Sequence, residues 1–341
     1  MVIGICTRTH LPWFEEFQNA CRILGLEFRV IYIGQDDWID QIKGIDAFLW
    51  RVIMGDPSCM AEAHTKIPLI EEMGIPCFPS KKMLWFFDDK IRESLFFRQN
   101  NYPTPNTWIF FDETSARKHA EKAEYPIVVK SHCGAGSSGV GLLRTPRDAH
   151  RLLDRIFSQN SIWERIVSRF YVTPRLRRGD LLLALRHHFR DSWPRYAYFQ
   201  EFVQTDCDWR ITTLGSDLVS VFVRRNRPKD FRASGSGLWE KVAIEDLPTE
   251  ACDLALQISN THGFTSMTYD FMKHENRWVM GEMSYSFLLN DIYTQTLFRR
   301  DAGKYLPSAP IPVGVMHLCA MLSLPFPGES TSPSPSQNQH V

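Results

Sequence analysis

The chain has 341 residues, enough for two or three structural units, and 44% of them are hydrophobic, as in an ordinary globular protein. Lysine and arginine balance aspartate and glutamate at 39 each, which argues against a dedicated nucleic-acid-binding protein. The eight cysteines are scattered without a CxxC pair, and every apolar run is far shorter than the ~20 residues of a membrane span. We therefore expect a cytoplasmic protein with neither membrane nor nucleic-acid partners.

Residues 1–100 alternate between short apolar runs and segments with helical spacing. The apolar runs cover residues 2–6, 28–33, 45–51 and 75–78, and helical spacing covers 13–24, 61–73 and 82–100. Strands that alternate with helices predict a small parallel sheet. No GxGxxG follows the first strand, so this unit shows no dinucleotide-binding fingerprint.

Two further units and a tail follow. In residues 101–195, strands are predicted at 107–111, 125–130 and 140–143, and helices at 114–123 and 147–157. In residues 196–305, strands are predicted at 219–223, 267–272 and 278–282, and a helix at 250–262. The segment 158–195 gives no clear assignment. Residues 306–341 are expected to be a partly disordered tail, because their Ser/Pro/Gln-rich end cannot build a core.

Residues 134–139 read Gly-Ala-Gly-Ser-Ser-Gly, a literal GxGxxG after a predicted strand. A nicotinamide or flavin site would need a helix after the last glycine and an acidic residue about twenty positions on. A strand is predicted there instead, so the loop should join a hairpin, where backbone N–H groups can close over phosphates. Lys130 precedes the loop and can reach the same phosphates. In isolation, a mobile Gly/Ser turn is the favoured explanation of the loop, and a lone lysine at a strand end is usually solvated.

Two acidic residues and a group of arginines are the other candidates. Asp270 and Glu282 lie on two predicted strands around a turn near residue 276, where they can face each other. Opposed carboxylates repel, and Mg²⁺, which takes one or two carboxylates plus substrate phosphates, would remove that penalty. Arg210, Arg224 and Arg232 belong to a cluster that suits oxyanions. Taken alone, each group is better explained as solvated surface charge.

In order and spacing, these motifs resemble the ATP-grasp superfamily, specifically its RimK-type and glutathione-synthetase-like branch, over about residues 1–300. The motifs are Asp89-Lys90, Lys130, the loop 134–140, the segment 200–203, Asp208-Trp209-Arg210, Arg224 with Asp230-Phe231-Arg232, and the Asp270 and Glu282 pair. The resemblance implies an α/β fold in which an N-terminal Rossmann-like parallel-sheet domain precedes a two-subdomain ATP-grasp fold. Ser284 and Ser234 are departures, since the family usually has asparagine at both positions.

The resemblance also implies roles for individual residues. The nucleotide would be held by Lys90, Lys130, Gly134, Gly136, Ser137, Ser138, Gly139, Val140, Gln200, Glu201, Phe202, Val203 and Asp208. Glu201 would lie nearest the ribose. The catalytic residues would be Arg210, Arg224 and Arg232. The metal, Mg²⁺ or Mn²⁺ in its place, would be held by Asp270, Glu282 and, more weakly, Ser284.

The implied activity is that of an ATP-dependent ligase. A small-molecule or peptide carboxylate would be phosphorylated to an acyl phosphate and joined to an amine acceptor or a related nucleophile, with release of ADP and phosphate. A homo-oligomer is compatible with the sequence. Two alternatives stay open: an ATP-binding regulatory module without ligase turnover, which the departure at Ser284 favours, and a nucleotide-dependent oxidoreductase, which the strand after the glycine loop disfavours.

Overall fold

A computed structural model describes residues 1–134, 136, 139–157 and 195–326 of the chain. Ser137 and Ser138 of the glycine loop lie outside the described residues, as do most of the unassigned segment 158–195 and the Ser/Pro-rich end. The described part is an α/β structure with a parallel sheet at the N-terminus and two antiparallel sheets after it, which confirms the predicted fold class.

The N-terminal unit is a parallel sheet covered by helices, as the alternating pattern predicts. Its elements are β1 Val2–Cys6, α1 Leu11–Ile23, β2 Glu27–Ile31, α2 Trp38–Gln41, β3 Ala47–Leu49, α3 Pro57–Glu72 and β4 Cys77–Phe78. The strands lie in the order β2-β1-β3-β4. Helices on the faces of a parallel sheet bury its strands, which explains why β1 and β3 read as continuous apolar runs.

The single helix predicted at the end of this unit is wrong, because two helices take its place: α4 Lys81–Phe86 and α5 Lys90–Gln99. The first helix ends at Phe86, the chain is extended at Phe87, and Asp88 has a φ of 52°, in the left-handed region. Asp89 caps the second helix by accepting hydrogen bonds from two backbone N–H groups of its first turn. The break makes Lys90 the first residue of α5, where its side chain is buried.

The central unit is an antiparallel sheet with two helices against it. Its elements are β5 Thr107–Phe110, α6 Glu113–Lys122, β6 Ile127–Lys130, β7 Val140–Leu143, α7 Pro146–Phe157 and β8 Ala197–Glu201. The strand order is β5-β8-β6-β7, and β6 pairs with β7 as a hairpin. The predicted strand after the glycine loop is therefore confirmed, and Lys130 lies opposite Val140 at the loop end of the hairpin.

The third unit is built on a large antiparallel sheet. Its elements are β9 Cys207–Leu214, β10 Leu218–Arg225, β11 Trp239–Lys241, a 3₁₀ turn at Ile244–Asp246, α8 Thr249–His262, β12 Ser266–His274, β13 Arg277–Ser284, α9 Leu289–Tyr293, β14 Leu297–Asp301, β15 Lys304–Ser308 and α10 Val313–Leu322. The order is β13-β12-β9-β10-β14-β15, and β11 also pairs with β10. The predicted hairpin of β12 and β13 is confirmed, with Asp270 directly opposite Glu282.

The last helix, α10, lies in the segment predicted to be a tail, and it is part of the core instead. It packs against α1 so closely that a Cβ on Gly314 would lie 2.9 Å from the Cβ of Ala20. His317 is buried beside Trp13, with 5.7 Å between the ring centres. The helix is apolar on nearly every side, so no polar face marks it in the sequence.

Two hydrophobic cores organise the molecule. The larger one runs without interruption from the N-terminal sheet into the third unit, through residues such as Phe48, Tyr269 and Leu318. The smaller one lies under the central sheet and includes Ala116 and Phe199. The central unit therefore has a core of its own beside the rest of the molecule. In the part of the chain that the structure describes, no helix is long and apolar enough to cross a bilayer.

Candidate functional site

A cavity of about 120 Å³ is lined by residues of both the central sheet and the large sheet. Most of the residues predicted from the sequence line it: Lys90, Lys130, Gly134, Val140, Gln200, Glu201, Phe202, Val203, Asp208, Arg224, Arg232, Asp270 and Glu282. These residues come from eight helices and strands and the loops between them, and the fold brings them to one place.

Four predicted residues lie outside the lining of this cavity: Arg210, Gly136, Gly139 and Ser284. The guanidinium of Arg210 is bound to Asp270. The Ser284 hydroxyl accepts a hydrogen bond of 3.0 Å from the backbone N–H of Ser286. The two glycines belong to the loop between β6 and β7, where both have positive φ angles.

Two lysines reach into the cavity, Lys90, which is buried, and Lys130, which is partly buried. Lys90 Nζ donates a 2.9 Å hydrogen bond to the Gly134 carbonyl and lies 3.6 Å from Glu282 Oε1. Lys130 Nζ donates a 3.2 Å bond to the Gly281 carbonyl. Burial opposes the charge of Lys90, yet the attraction of Glu282 and other acids outweighs burial and raises its pKa. Burial dominates at Lys130 and lowers its pKa. An anion bound in the cavity would therefore favour the charged form of Lys130.

Asp208, Arg210, Arg224 and Asp270 form a closed ion-pair network across β9, β10 and β12. Arg210 donates to the two oxygens of Asp270 at 2.9 and 3.0 Å. Arg224 donates to both oxygens of Asp208 at 2.6 Å, and its Nη2 lies 2.7 Å from Asp270 Oδ2. Strand register makes Asp270 the direct neighbour of Arg210, and Arg224 the direct neighbour of Asp208.

The predicted reason for a metal at Asp270, repulsion between two carboxylates, is wrong because of these ion pairs. The predicted opposition to Glu282 is present, but arginines already neutralise Asp270, so a cation is not needed to offset repulsion. Burial opposes ionisation of Asp270, yet Arg210 and Arg224 together hold its pKa well below the usual range. Burial, and then Asp270, raise the pKa of Asp208 to about 6. A metal at Asp270 would share the carboxylate with three arginine N–H groups.

The carboxylates still fit the donor set that Mg²⁺ prefers. Mg²⁺ is usually held by one or two carboxylates, with water and phosphate oxygens completing its shell. Asp270 and Glu282 supply that number, and the Glu282 side chain is 43% exposed. Among the described residues, no group of three or more histidine, cysteine, aspartate or glutamate side chains is arranged around a metal position.

Two arginines of the segment that follows β10 donate hydrogen bonds to backbone carbonyls of the glycine loop and of the residue after it. Arg227 Nη2 donates a 3.0 Å bond to the Gly136 carbonyl, and Arg232 Nη1 donates a 3.3 Å bond to the Val140 carbonyl. Arg232 also forms a 2.6 Å ion pair with Asp230. Side-chain to backbone bonds therefore join this segment to the middle of the loop, at Gly136, and to its end, at Val140.

The segment 200–203 forms one wall of the cavity. The Gln200 amide donates a 2.8 Å bond to the Thr107 hydroxyl and is buried. Glu201, predicted to lie nearest a ribose, accepts a 2.9 Å bond from the Asn106 side chain and lies 3.4 Å from His274. Phe202 and Val203 complete this wall. The apolar part of the wall suits a flat ring, while Glu201 already has protein partners.

Glu93 is a neighbour of the cavity that the sequence motifs do not reveal. It is buried one turn after Lys90 on α5 and accepts a hydrogen bond from the backbone N–H of Met283. Burial, and then Glu282, raise its pKa well above the ordinary value. Its spacing of three residues from Lys90 on one helix face is the signal that points to it.

Known proteins resemble this chain in fold. No protein-family model matches it. A curated relative, the alpha-aminoadipate–LysW ligase LysX of Saccharolobus solfataricus, is 24% identical over 213 residues, which span 61% of this chain and 65% of that protein. The match thus covers less than two thirds of the relative. Among solved structures, a RimK domain ATP-grasp protein of Sphaerobacter thermophilus is 13% identical, with 94% of this chain and 100% of that chain covered and a TM-score of 0.56.

A second solved structure, the D-alanine–D-alanine ligase of Bacillus anthracis in complex with ATP, is 15% identical. It covers 95% of this chain and 97% of that chain, with a TM-score of 0.55. Both solved structures cover nearly the whole chain, including the N-terminal parallel sheet and the two antiparallel sheets that line the cavity. We conclude that the chain has the ATP-grasp fold, with a RimK-type protein among its structural neighbours.

Proposed function

We propose that the protein is an ATP-dependent ligase that activates a carboxylate as an acyl phosphate and transfers it to an amine or a related nucleophile. The observation that carries this proposal is the cavity in which Lys90, Lys130 and Glu282 converge beside the glycine hairpin. Buried cations at the end of a hairpin loop suit the phosphates of a nucleotide, which carry several negative charges.

In this proposal the two lysines bind nucleotide phosphates, and the glycine loop closes over them. Asp270 and Glu282 would hold Mg²⁺, which neutralises developing charge during phosphoryl transfer. Arg224 lines the cavity, and it would turn from Asp270 towards the transferred phosphoryl group. Arg210 would stay with Asp270, and Arg232 would hold the loop through Val140.

Two observations support the substrate class and the location. The curated relative and the solved ligase are both named for joining amino acids or their analogues to an acceptor, so an amino-acid or peptide carboxylate and an amine are the proposed substrates. All eight cysteines are free thiols, as expected in the reducing cytoplasm.

An ATP-binding regulatory module without turnover is the second candidate function. It is favoured by Asp270, whose carboxylate already binds both Arg210 and Arg224, and by Ser284, which lies outside the cavity lining. The two candidates agree on ATP binding and differ in whether ADP is formed.

The first experiment is a melting-temperature comparison. Mg-ATP should raise the melting temperature because it binds the native state, whereas NAD should not. Lys90→Met should abolish this increase. Lys43→Met is the matched control, since Lys43 is an exposed lysine paired with Asp40 far from the cavity. Stabilisation by NAD alone would overturn the proposal.

The second experiment is a screen of amino acids, peptides and other carboxylates with amine acceptors, read by phosphate release. Chromatography of the nucleotide products then tests the reaction type. ADP with phosphate is expected from an acyl-phosphate route. AMP with pyrophosphate would exclude that route, and ATP binding without any product across the screen would favour the regulatory module.

A further inference from the structure

Arg51 is a buried guanidinium for which the described part of the chain offers no carboxylate. It directly follows Trp50 after β3, and 7% of its surface is exposed. Nη1 donates a 2.7 Å bond to the Val52 carbonyl, and Nη2 donates to the Ser286 hydroxyl. Nε is buried without a partner. Tyr285 and Cys59 are the ionisable groups near enough to influence it, and both are neutral at pH 7.

This arrangement differs from that of the other buried arginine. Arg224 is 8% exposed and donates to both oxygens of Asp208 and to Asp270. A guanidinium keeps its charge in proteins, so an unpaired one cannot escape the cost of burial by losing its proton. Arg51 therefore has the charge and the free N–H groups to bind an anion.

The position of Arg51 matches that of a ligand site. It lies at the carboxyl end of the parallel sheet, the edge at which open α/β sheets bind their ligands. Its partner Ser286 follows β13, the strand that carries Glu282. At about 3.3 Å per residue, the four-residue step from Glu282 to Ser286 spans at most roughly 13 Å. A small molecule or a short peptide of that length would reach from Glu282 to Arg51.

Aromatic side chains surround Arg51, and the hydroxyl of one of them has no hydrogen-bond partner. The Trp13 ring centre lies 5.9 Å from Arg51 Cζ. Tyr285 is fully buried, and its hydroxyl has no hydrogen-bond partner. A guanidinium, a phenol O–H and a serine hydroxyl in apolar surroundings are donors suited to a carboxylate, because the low local dielectric strengthens each bond.

We propose that Arg51, together with Tyr285 and Ser286, binds a second carboxylate of the substrate, distinct from the one that is phosphorylated. This rests on the proposed ligase function and specifies its substrate as a molecule with two carboxylates. A dicarboxylic amino acid and a peptide with an acidic side chain and a free C-terminus share this chemistry.

The test is a binding measurement on the full chain without nucleotide. Calorimetric titrations would compare aspartate, glutamate and aminoadipate with asparagine and glutamine, and glutamyl peptides with a free C-terminus with the same peptides amidated. At least one dicarboxylate should bind at least tenfold more tightly than its amide. A preference confined to the free amino acids or confined to the peptides identifies the source of the carboxylate.

Variants assign the binding to Arg51. Arg51→Gln should lower the affinity for the preferred dicarboxylate at least tenfold and leave the stabilisation by Mg-ATP unchanged. Arg29→Gln is the matched control, because Arg29 is exposed and also donates to backbone carbonyls, those of Gln41 and Lys43. Tyr285→Phe removes only the unpartnered hydroxyl, so it should keep the fold and weaken binding several-fold even if Arg51→Gln does not fold.

Equal binding of dicarboxylates and their amides by the parent chain would overturn this inference, as would full affinity in both Arg51→Gln and Tyr285→Phe. Neither result would contradict the proposed ligase function. Loss of stabilisation by Mg-ATP in the parent chain would instead remove the proposed function while leaving an anion site at Arg51.

Discussion

Glu282 is the carboxylate of the cavity that is open to a metal. Its nearest cation is Lys90, at 3.6 Å. Glu282→Gln removes the charge and keeps the shape, so the fold should survive. Without magnesium we expect no gain in stability, because arginines already neutralise Asp270 and Lys90 loses a countercharge. Ligase turnover should fall by at least about a hundredfold, since charge neutralisation in phosphoryl transfer is lost. Melting in EDTA and phosphate release measure the two effects.

The control for this change is Glu240→Gln. Glu240 pairs with Arg225 at 2.8 Å on the surface, so the same substitution there removes a charge without touching the cavity. Both measurements should be unchanged in that variant. A Glu282→Gln protein with full turnover would contradict the assigned metal position.

The sequence motifs predict which residues meet at the cavity better than they predict what each residue contacts. Order and spacing are enough to bring Lys130, Asp208 and Glu282 to one place. They do not reveal that Asp208 and Arg224 are direct cross-strand neighbours, because the register of β9 and β10 depends on a turn between two strands of which only β10 was predicted. Ion pairs are properties of that register, so they cannot be read from spacing along the chain.

The hairpin of β6 and β7 has one glycine that is sterically required. Gly139 has a φ of 75°, and a Cβ there would lie 1.9 Å from Ser131 Oγ. Gly139→Ala should therefore lower the stability by about 1–3 kcal/mol and weaken ATP binding, because the base of the loop must shift. Gly136 has no atom within 4 Å of the same position, so Gly136→Ala should cost only the strain of its positive φ.

Urea unfolding and calorimetric ATP titration measure these effects. A larger residue should therefore lower the stability more at Gly139 than at Gly136. Adding Ser131→Gly to Gly139→Ala removes the clashing hydroxyl and should restore part of the loss. If the double variant is as weak as the sum of the single ones, the contact with Ser131 is not the cause.

Among the strands and helices, the periodicity of the sequence predicts those that have one polar and one apolar side. The alternating N-terminal unit, both hairpins and the helix over Thr249–His262 follow this rule. The helix α10 does not, because it is buried on most sides and therefore has no polar stripe. The break between α4 and α5 is missed for a different reason: it depends on one left-handed residue, Asp88, in an otherwise helical pattern.

His317 joins three parts of the molecule. It belongs to α10, lies 3.9 Å from Phe78 of the N-terminal sheet in ring-centre distance, and forms a 2.8 Å hydrogen bond with Ser266 of β12. Burial lowers its pKa to about 3. The unfolded chain binds a proton at an ordinary pKa near 6.5, and the native state does not. Stability should therefore fall as the pH drops below about 6.5, by up to about 1.4 kcal/mol per pH unit from this group.

Urea unfolding between pH 7 and pH 5 measures this loss. His317→Gln keeps a group that can reach Ser266 but does not titrate, so its stability should depend less steeply on pH than that of the parent. His10→Gln, at an exposed histidine, should keep the parental slope. Parallel slopes for the parent and His317→Gln would show that His317 does not govern the loss.

The contact between α1 and α10 has a consequence for synthesis on the ribosome. Trp13 and Ala20 of α1 emerge early, whereas their partners His317 and Gly314 are made about 290 residues later. At about 5–20 residues per second, α1 waits roughly 15–60 seconds for its covering helix. During that interval the nascent N-terminal sheet presents an uncovered apolar face, a surface that chaperones bind. Completion of the first domain therefore waits for a helix that is made about 290 residues after α1.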